Sequence, residues 1–227
     1  MQSQWLNLPW IKTQNDKIAW GNLAGSALSL AISDAVKSHA GFKLIVTQNT
    51  QQALKLEAEL NYLLPSIPVN LFPDWETLPY DHFSPHQDII SQRLSLLSQL
   101  RNQHNGVLIV PIAGLMLRTA PCEFIYGKAI KYKVGDTLDS MTLRTALESV
   151  GYINVQQVMA HGEFAIRGSI IDLFPIGSNT PLRIDLFDDE IDSIRQFDPE
   201  TQRSRDNIQE IDLLPAHEFG TDEDDIE

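Results

Sequence analysis

The segment GNLAGSAL, residues 21–28, sets a small-residue turn directly before an amphipathic run, SLAISDAVKSH, with a strand-like FKLIVT beyond it. A turn of this kind at the head of a helix is the setting of a phosphate-binding loop. That loop's chemistry requires Gly-x-x-x-x-Gly-Lys-Ser/Thr: backbone N–H groups cradle the phosphates, the lysine bridges the outer ones and the hydroxyl holds magnesium. Counting from Gly21, with Gly25 inside the turn, Ser26 falls at the second glycine, Ala27 at the lysine and Leu28 at the hydroxyl. None of the three supplies the required group. No apolar run ending in paired acids for magnesium follows in the first half either. Residue chemistry alone therefore describes a helix-entry turn.

Other reactive constellations are sparse. His82 and His86 are four apart, the spacing of two zinc ligands on one helix face, but Pro85 separates them and no third ligand cluster accompanies them. Cys122 has no neighbour that would activate a thiolate. Asp188-Asp189-Glu190 lacks calcium-loop spacing and suits a solvated turn. No Gly-x-Ser-x-Gly nucleophile motif is present. Residues 74–81, DWETLPYD, mix aromatics, prolines and acids. Trp75, Tyr80 and Phe83 have the chemistry of base-stacking platforms, yet only Arg93 is near to meet a phosphate. A packed, proline-rich connection fits better.

Arg167 and Arg183 stand out in the acidic second half. Arg167 closes the run Phe164-Ala165-Ile166, and Arg183 opens RIDLF, which ends at Phe187. Paired strands would bring both arginines and Phe187 to one surface, the composition of an interface hot spot. Alternatively each arginine neutralises a nearby aspartate, Asp172 or Asp185, an exposed pair of little energetic weight. The residues themselves leave both roles open.

The elements that must carry these residues change character along the chain. Helical spacing over 26–38 and 50–64, the latter stopped by Pro65, alternates with short apolar strands at 42–47, 69–72 and 107–112. A further helix spans residues 84–100, with Ser84 as cap and Pro85 in its first turn. Its apolar line is Ile89, Ile90, the stem of Arg93, Leu94, Leu97 and Leu100. Helix–strand alternation with fully apolar strands predicts a parallel sheet covered on both faces. Beyond RTAPCEF (118–124) the pattern becomes strands of period two around one capped helix, DSMTLRTALESVGY, with a hairpin turn at 188–190. The closing TDEDDIE has no apolar period and suits a linker or frayed end.

Charge follows the same division. Of the net −13, residues 1–120 contribute nothing, with 8 Lys and Arg against 8 Asp and Glu, while residues 121–227 carry 9 against 22. So acidic a half repels a phosphate backbone and disfavours non-specific DNA binding. The single cysteine precludes an internal disulfide and suits a reducing cytoplasm. No apolar run nears the roughly 18–20 residues of a membrane helix, and the N-terminus lacks a signal-peptide pattern.

LPYDHFSPHQDIISQRLSLLSQL (78–100) and HGEFAIRGSIIDLFPIGSNTPLRIDLFDDEIDSIRQFD (161–198) closely resemble the N-terminal part of the bacterial transcription-repair coupling factor family. The second block is also similar to the UvrB subunit of the nucleotide excision nuclease. The resemblance covers essentially the whole chain. It implies a degenerate helicase-like (P-loop-type) α/β parallel-sheet domain 1a over 1–120. A mixed, mainly antiparallel α+β domain 2 over 121–214 follows, and 215–227 begin domain 1b or a linker. It implies that domain 2 binds UvrA, and by motif match the role falls to Arg167, Arg183 and Phe187. In the family that face is covered by a C-terminal domain until activation; no such domain is present here, so the face is expected to be free. Family members are ATP-dependent DNA translocases that displace stalled RNA polymerase. Their motor, DNA and polymerase contacts, with ATP and magnesium, lie in regions absent from this chain, for which no cofactor and no catalytic residue are expected. In this light Gly21, Gly25, Ser26, Ala27 and Leu28 mark a vestigial nucleotide loop. The competing expectation is a nucleotide- or DNA-binding helicase-like domain that keeps weak ATP affinity.

Overall fold

A computed structural model describes residues 9, 11, 13, 15–76, 86–127 and 129–218. The chain forms two compact units. Residues 1–74 and 102–117 make the first, and 75–101 with 118–227 the second.

In the first unit, helix α1 (Ala27–Ser38) leads to strand β1 (Phe42–Thr47), helix α2 (Thr50–Leu63) and strand β2 (Val69–Leu71). Asn49 starts α2 by accepting the Gln52 amide N–H at 2.9 Å, and the helix ends at Leu63, just before Pro65. The chain then contributes helix α3 (Gln87–Leu100) to the other unit and returns as strand β3 (Gly106–Pro111) and a single helical turn, α4 (Ile112–Leu115). The sheet is parallel, in the order β1-β3-β2. Register places Lys43 and Ile45 beside Val107 and Ile109. On that face Val36 of α1 and Ala53, Leu56 and Leu60 of α2 complete a core with Val107 and Ile109. The opposite face differs from the expected double covering. Phe42, Leu44 and Val46 stay partly exposed there. The amphipathic stripe over 87–100, which the chain order assigns to this half, instead buries Ile90 and Leu94 in the core of the second unit.

The second unit adds helix α5 (Cys122–Gly127), strand β4 (Ile130–Lys133), helix α6 (Ser140–Ser149) and strands β5 (Ile153–Asn154), β6 (Glu163–Arg167), β7 (Ile170–Leu173), β8 (Leu182–Phe187), β9 (Glu190–Phe197), β10 (Ser204–Ile208) and β11 (Glu210–Leu213). Six strands form one sheet, β10-β9-β8-β7-β6-β5, antiparallel except at β5–β6, while β4 pairs with β11. The Asp139 carboxylate caps α6 by accepting the Thr142 N–H at 2.8 Å. Leu143 and Leu147 of α6 then pack with Ile171, Leu173, Leu182, Ile184, Ile191 and Ile194 from one sheet face. Alternation sends the intervening residues to the other face. There a small cluster of Val158, Ala165, Phe174 and Phe197 covers part of the sheet.

The chain's last described residues belong to this unit. Ala216 donates its N–H to the Val150 carbonyl at 2.8 Å. The Glu218 carboxylate accepts from Arg93 Nε at 2.8 Å and Nη2 at 3.0 Å, with both side chains out of water. Arg93 thus buries its charged head, not only its stem as its place in an apolar line suggests. Its guanidinium carbon sits 4.3 Å from the Trp75 ring centre. Residues 219–227 lie outside the described residues, as do Tyr80, His82, Phe83, Ser84 and Pro85.

Candidate partner-binding face

On the sheet face away from α6, β-strand register assembles a charged row. Asp172 of β7 lies directly opposite Arg183 of β8, which in turn lies opposite Arg195 of β9. Arg167 ends β6, one position before the Gly168-Ser169 turn, and is opposite Ile170. Gly168 takes φ +62°, which a glycine adopts without strain. Residues 183, 185 and 187 share this face, because successive side chains of a strand alternate. Phe187 ends β8 at the Asp188-Asp189 turn, opposite Glu190.

Asp172 is the centre of the row. It is fully buried, and Arg183 holds it bidentately, Nε to Oδ1 at 2.6 Å and Nη2 to Oδ2 at 2.9 Å. Arg167 donates to the same Oδ2 from a half-exposed side chain. Arg183 is further fixed by donating Nη1 to the Gln202 carbonyl at 3.3 Å and by stacking 4.9 Å from the Phe197 ring centre. Its hydrogen bonds to Asp172 raise its pKa above the ordinary arginine value, so it stays charged at any working pH. Arg195 donates Nη2 to Asp185, which also accepts the Ser193 hydroxyl at 3.3 Å. Phe187, four residues beyond Arg183 at the end of β8, is 74% exposed.

Of the two roles open in the sequence, the ion pairing is present. Arg167 and Arg183 do neutralise an aspartate, but a buried one, which makes the pairing structural rather than incidental. The same pairing fixes the guanidinium groups of Arg167 and Arg183 on the sheet face that carries the exposed Phe187, four residues beyond Arg183 along β8. Arg195 and Gln202 join this face without having been anticipated. The signal was available in principle: SIRQF carries an arginine within an alternating strand that follows the 188–190 turn. What it lacked was the pairing partner.

The glycine-rich loop belongs to the first unit. Residues 16–24 that lead into it form no strand, so α1 is entered from an irregular segment, and the strand–loop–helix context of a phosphate cradle is missing among the described residues. Gly25 takes φ +59° at the turn. Ser26 precedes α1 but makes no capping hydrogen bond. Its hydroxyl, and that of Ser29, turn instead to the Glu59 carboxylate of α2, Ser26 at 3.4 Å and Ser29 in a closer contact. An internal anion thus lies at the head of α1. Leu30, Ala58, Tyr62 and Leu63 complete the walls of an open, mainly apolar groove of about 430 Å³ around this point. Among the described residues no three His, Cys, Asp or Glu side chains converge as metal ligands, and His86 instead accepts the Asp88 N–H at the start of α3.

Comparison with known proteins bears on the second unit first. A family model described as the UvrB interaction domain matches residues 130–219, a range that contains Arg167, Asp172, Arg183, Phe187 and Arg195. The transcription-repair-coupling factor of Escherichia coli K12 is 50% identical over 207 residues, 91% of this chain and 18% of its own length. That of Haemophilus influenzae Rd is 50% identical over 220 residues, 96% of the chain and 19% of its own length. That of Staphylococcus aureus Mu50 is 36% identical over 176 residues, 78% of the chain. The chain spans less than a fifth of the length of these relatives.

Proposed function

We propose that this chain, which carries the UvrB interaction domain and corresponds to a segment of the transcription-repair-coupling factors, is a non-catalytic module that recruits UvrA through the Arg167–Arg183–Phe187 face. In a full-length protein it would link stalled RNA polymerase to nucleotide excision repair, in the cytoplasm, the polymerase, DNA and ATP being handled by other parts of that protein. The carrying observation is Phe187, 74% exposed at a hairpin end, on the same sheet face as arginines already locked on a buried carboxylate. A monomeric domain loses free energy by holding an aromatic ring in water, and gains it back when a partner covers the ring.

The energetic division follows from the geometry. Phe187 supplies apolar area. Arg167 and Arg183 supply directional donors whose orientation is fixed before the partner arrives, so little side-chain entropy is lost on binding. Isothermal titration against purified UvrA tests the reading. The native chain is expected to bind, and Arg183→Glu and Phe187→Ala to bind at least tenfold more weakly; a native chain with no affinity for UvrA refutes it.

The 21–28 loop we read as a vestigial nucleotide site within a degenerate domain 1a, domain 2 being the antiparallel part. Ala27 and Leu28 in the lysine and hydroxyl positions and Glu59 at the head of α1 support this, since a carboxylate there repels a triphosphate. Titration with ATP and magnesium is expected to give no saturable heat, and a saturable one would restore the nucleotide-binding alternative.

A further inference from the structure

Arg183 and Arg195 stand directly opposite one another on β8 and β9. Like charges in that relation are unfavourable unless something between or above them is negative. Arg183 has Asp172 beneath it, held bidentately. Arg195 has one carboxylate bond, from Nη2 to Asp185, and its Nε is shielded from water with no acceptor at all. Its side chain is about a third exposed, and that of Asp185 less so. The face thus presents three guanidiniums, of Arg167, Arg183 and Arg195, over two recessed carboxylates, Asp172 and Asp185. Arg195 is the least satisfied of the three.

We infer that Arg195 is a further contact residue of this face and that it takes a carboxylate from an acidic side chain of the partner protein. This rests on the proposed UvrA-binding role of the face. A guanidinium held at one edge by Asp185, with its Nε out of water, keeps its plane and offers the Nη donors of its exposed part in a fixed direction, which suits a carboxylate. A nucleic-acid phosphate would offer similar oxygens, but the surroundings select against it. Asp188, Asp189, Glu190 and Asp192 follow Phe187 immediately in sequence, and Asp206 lies on the neighbouring strand β10. A polyanionic backbone laid across the arginines meets that rim, whereas a single carboxylate in a mixed protein surface does not. Arg195 also orders the row: the carboxylate it grips, Asp185, lies between Arg183 and Phe187 on β8.

The test is isothermal titration of UvrA with the native chain, Arg195→Gln, Arg195→Glu and Arg144→Gln at two salt concentrations. Arg144 is on α6, whose core residues pack on the opposite sheet face. Arg195→Gln is expected to weaken binding about tenfold and to flatten its salt dependence, Arg195→Glu to weaken it further, and Arg144→Gln to leave it unchanged. Circular dichroism melts of each variant separate lost contact from lost fold. If the native chain fails to bind UvrA, the functional assignment fails. If it binds and a folded Arg195→Glu binds equally well, the assignment stands and this inference is overturned. Tight binding of a DNA duplex at physiological salt that Arg195→Glu abolishes overturns it in favour of a phosphate ligand.

Discussion

Arg183→Gln separates stability from recognition on the candidate face, and its cost is calculable. Asp172 has no solvent contact, and Arg183 supplies two of its charged hydrogen bonds, at 2.6 and 2.9 Å. Removing one partner of a buried pair costs about 3–5 kcal/mol, because the remaining charge is stranded. Arg167 still reaches Asp172, so the loss falls to about 2–4 kcal/mol. Arg167 is half in water, so Arg167→Gln costs only about 0–1 kcal/mol. Phe187→Ala, at a 74% exposed position, changes stability by about 0.5 kcal/mol or less. With a urea slope of roughly 2 kcal/mol per molar, Arg183→Gln lowers the unfolding midpoint by about 1–2 M while the other two scarcely move it. UvrA titration gives a different order: Phe187→Ala and Arg183→Gln both lose affinity, and only the second also loses stability. An Arg183→Gln midpoint equal to the native one would show that Asp172 does not depend on Arg183, and would refute the energetic account of the row.

The buried pair at the chain's end makes a parallel case. Glu218→Ala leaves the Arg93 charge out of water and is expected to cost about 3–5 kcal/mol in a urea titration, whereas Arg93→Met with Glu218→Leu recovers most of that loss. Gly151 has φ +91°, and a Cβ built there falls 2.1 Å from His217 Cδ2, so Gly151→Ala is expected to lower stability by about 1–3 kcal/mol, read from the same titration. The hydrogen bonds from Thr142, hydroxyl first and then backbone N–H, hold the Asp139 carboxyl below its ordinary pKa. A depressed carboxyl stabilises the fold above the unfolded-state value of about 3.9 and ceases to do so as pH falls through the lower folded value. Asparagine caps without titrating, so the stability difference between the native chain and Asp139→Asn should shrink between pH 7 and pH 3, which melts at the two pH values measure.

What the residue pattern disclosed depended on range. Helices α1, α2 and α6 were legible from apolar spacing and from local caps such as Asp139, and the parallel and antiparallel parts from the change of period after residue 118. Periodicity finds a face but not its neighbour. Hence the stripe over 87–100 was attached to the preceding strands, although Ile90 and Leu94 pack among residues such as Ile125 and Leu143. The same limit hid the partner of Arg93. Glu218 is 125 positions away, in PAHEFG just before the acidic 221–227 end, and no local signal marks which acid will be buried. Arg167, Arg183 and Phe187 were singled out by strand pattern and given a role by motif likeness, whereas Asp172 was visible only as one of two aspartates within reach. Arg195 required the β8–β9 register, which a bulge between Asp185 and Leu186 shifts.

The strands of the second unit divide their work by parity. In β8, Leu182, Ile184 and Leu186 face the α6 core, while Arg183, Asp185 and Phe187 face outward. A partner can therefore select on one set without disturbing the other, except where a carboxylate has been drawn into the sheet. Asp172 is that exception. By burying one acid beneath two arginines, the sheet keeps cationic donors fixed on a unit whose net charge is strongly negative. If this face takes a partner as proposed, the acidic surroundings act as a filter. They hold polyanions away at the Debye range of about 8 Å at physiological ionic strength, while the arginines act at hydrogen-bond range on a single carboxylate beside an apolar contact. On the proposed reading of this face, short-range attraction within long-range repulsion favours a protein partner over a polyanion.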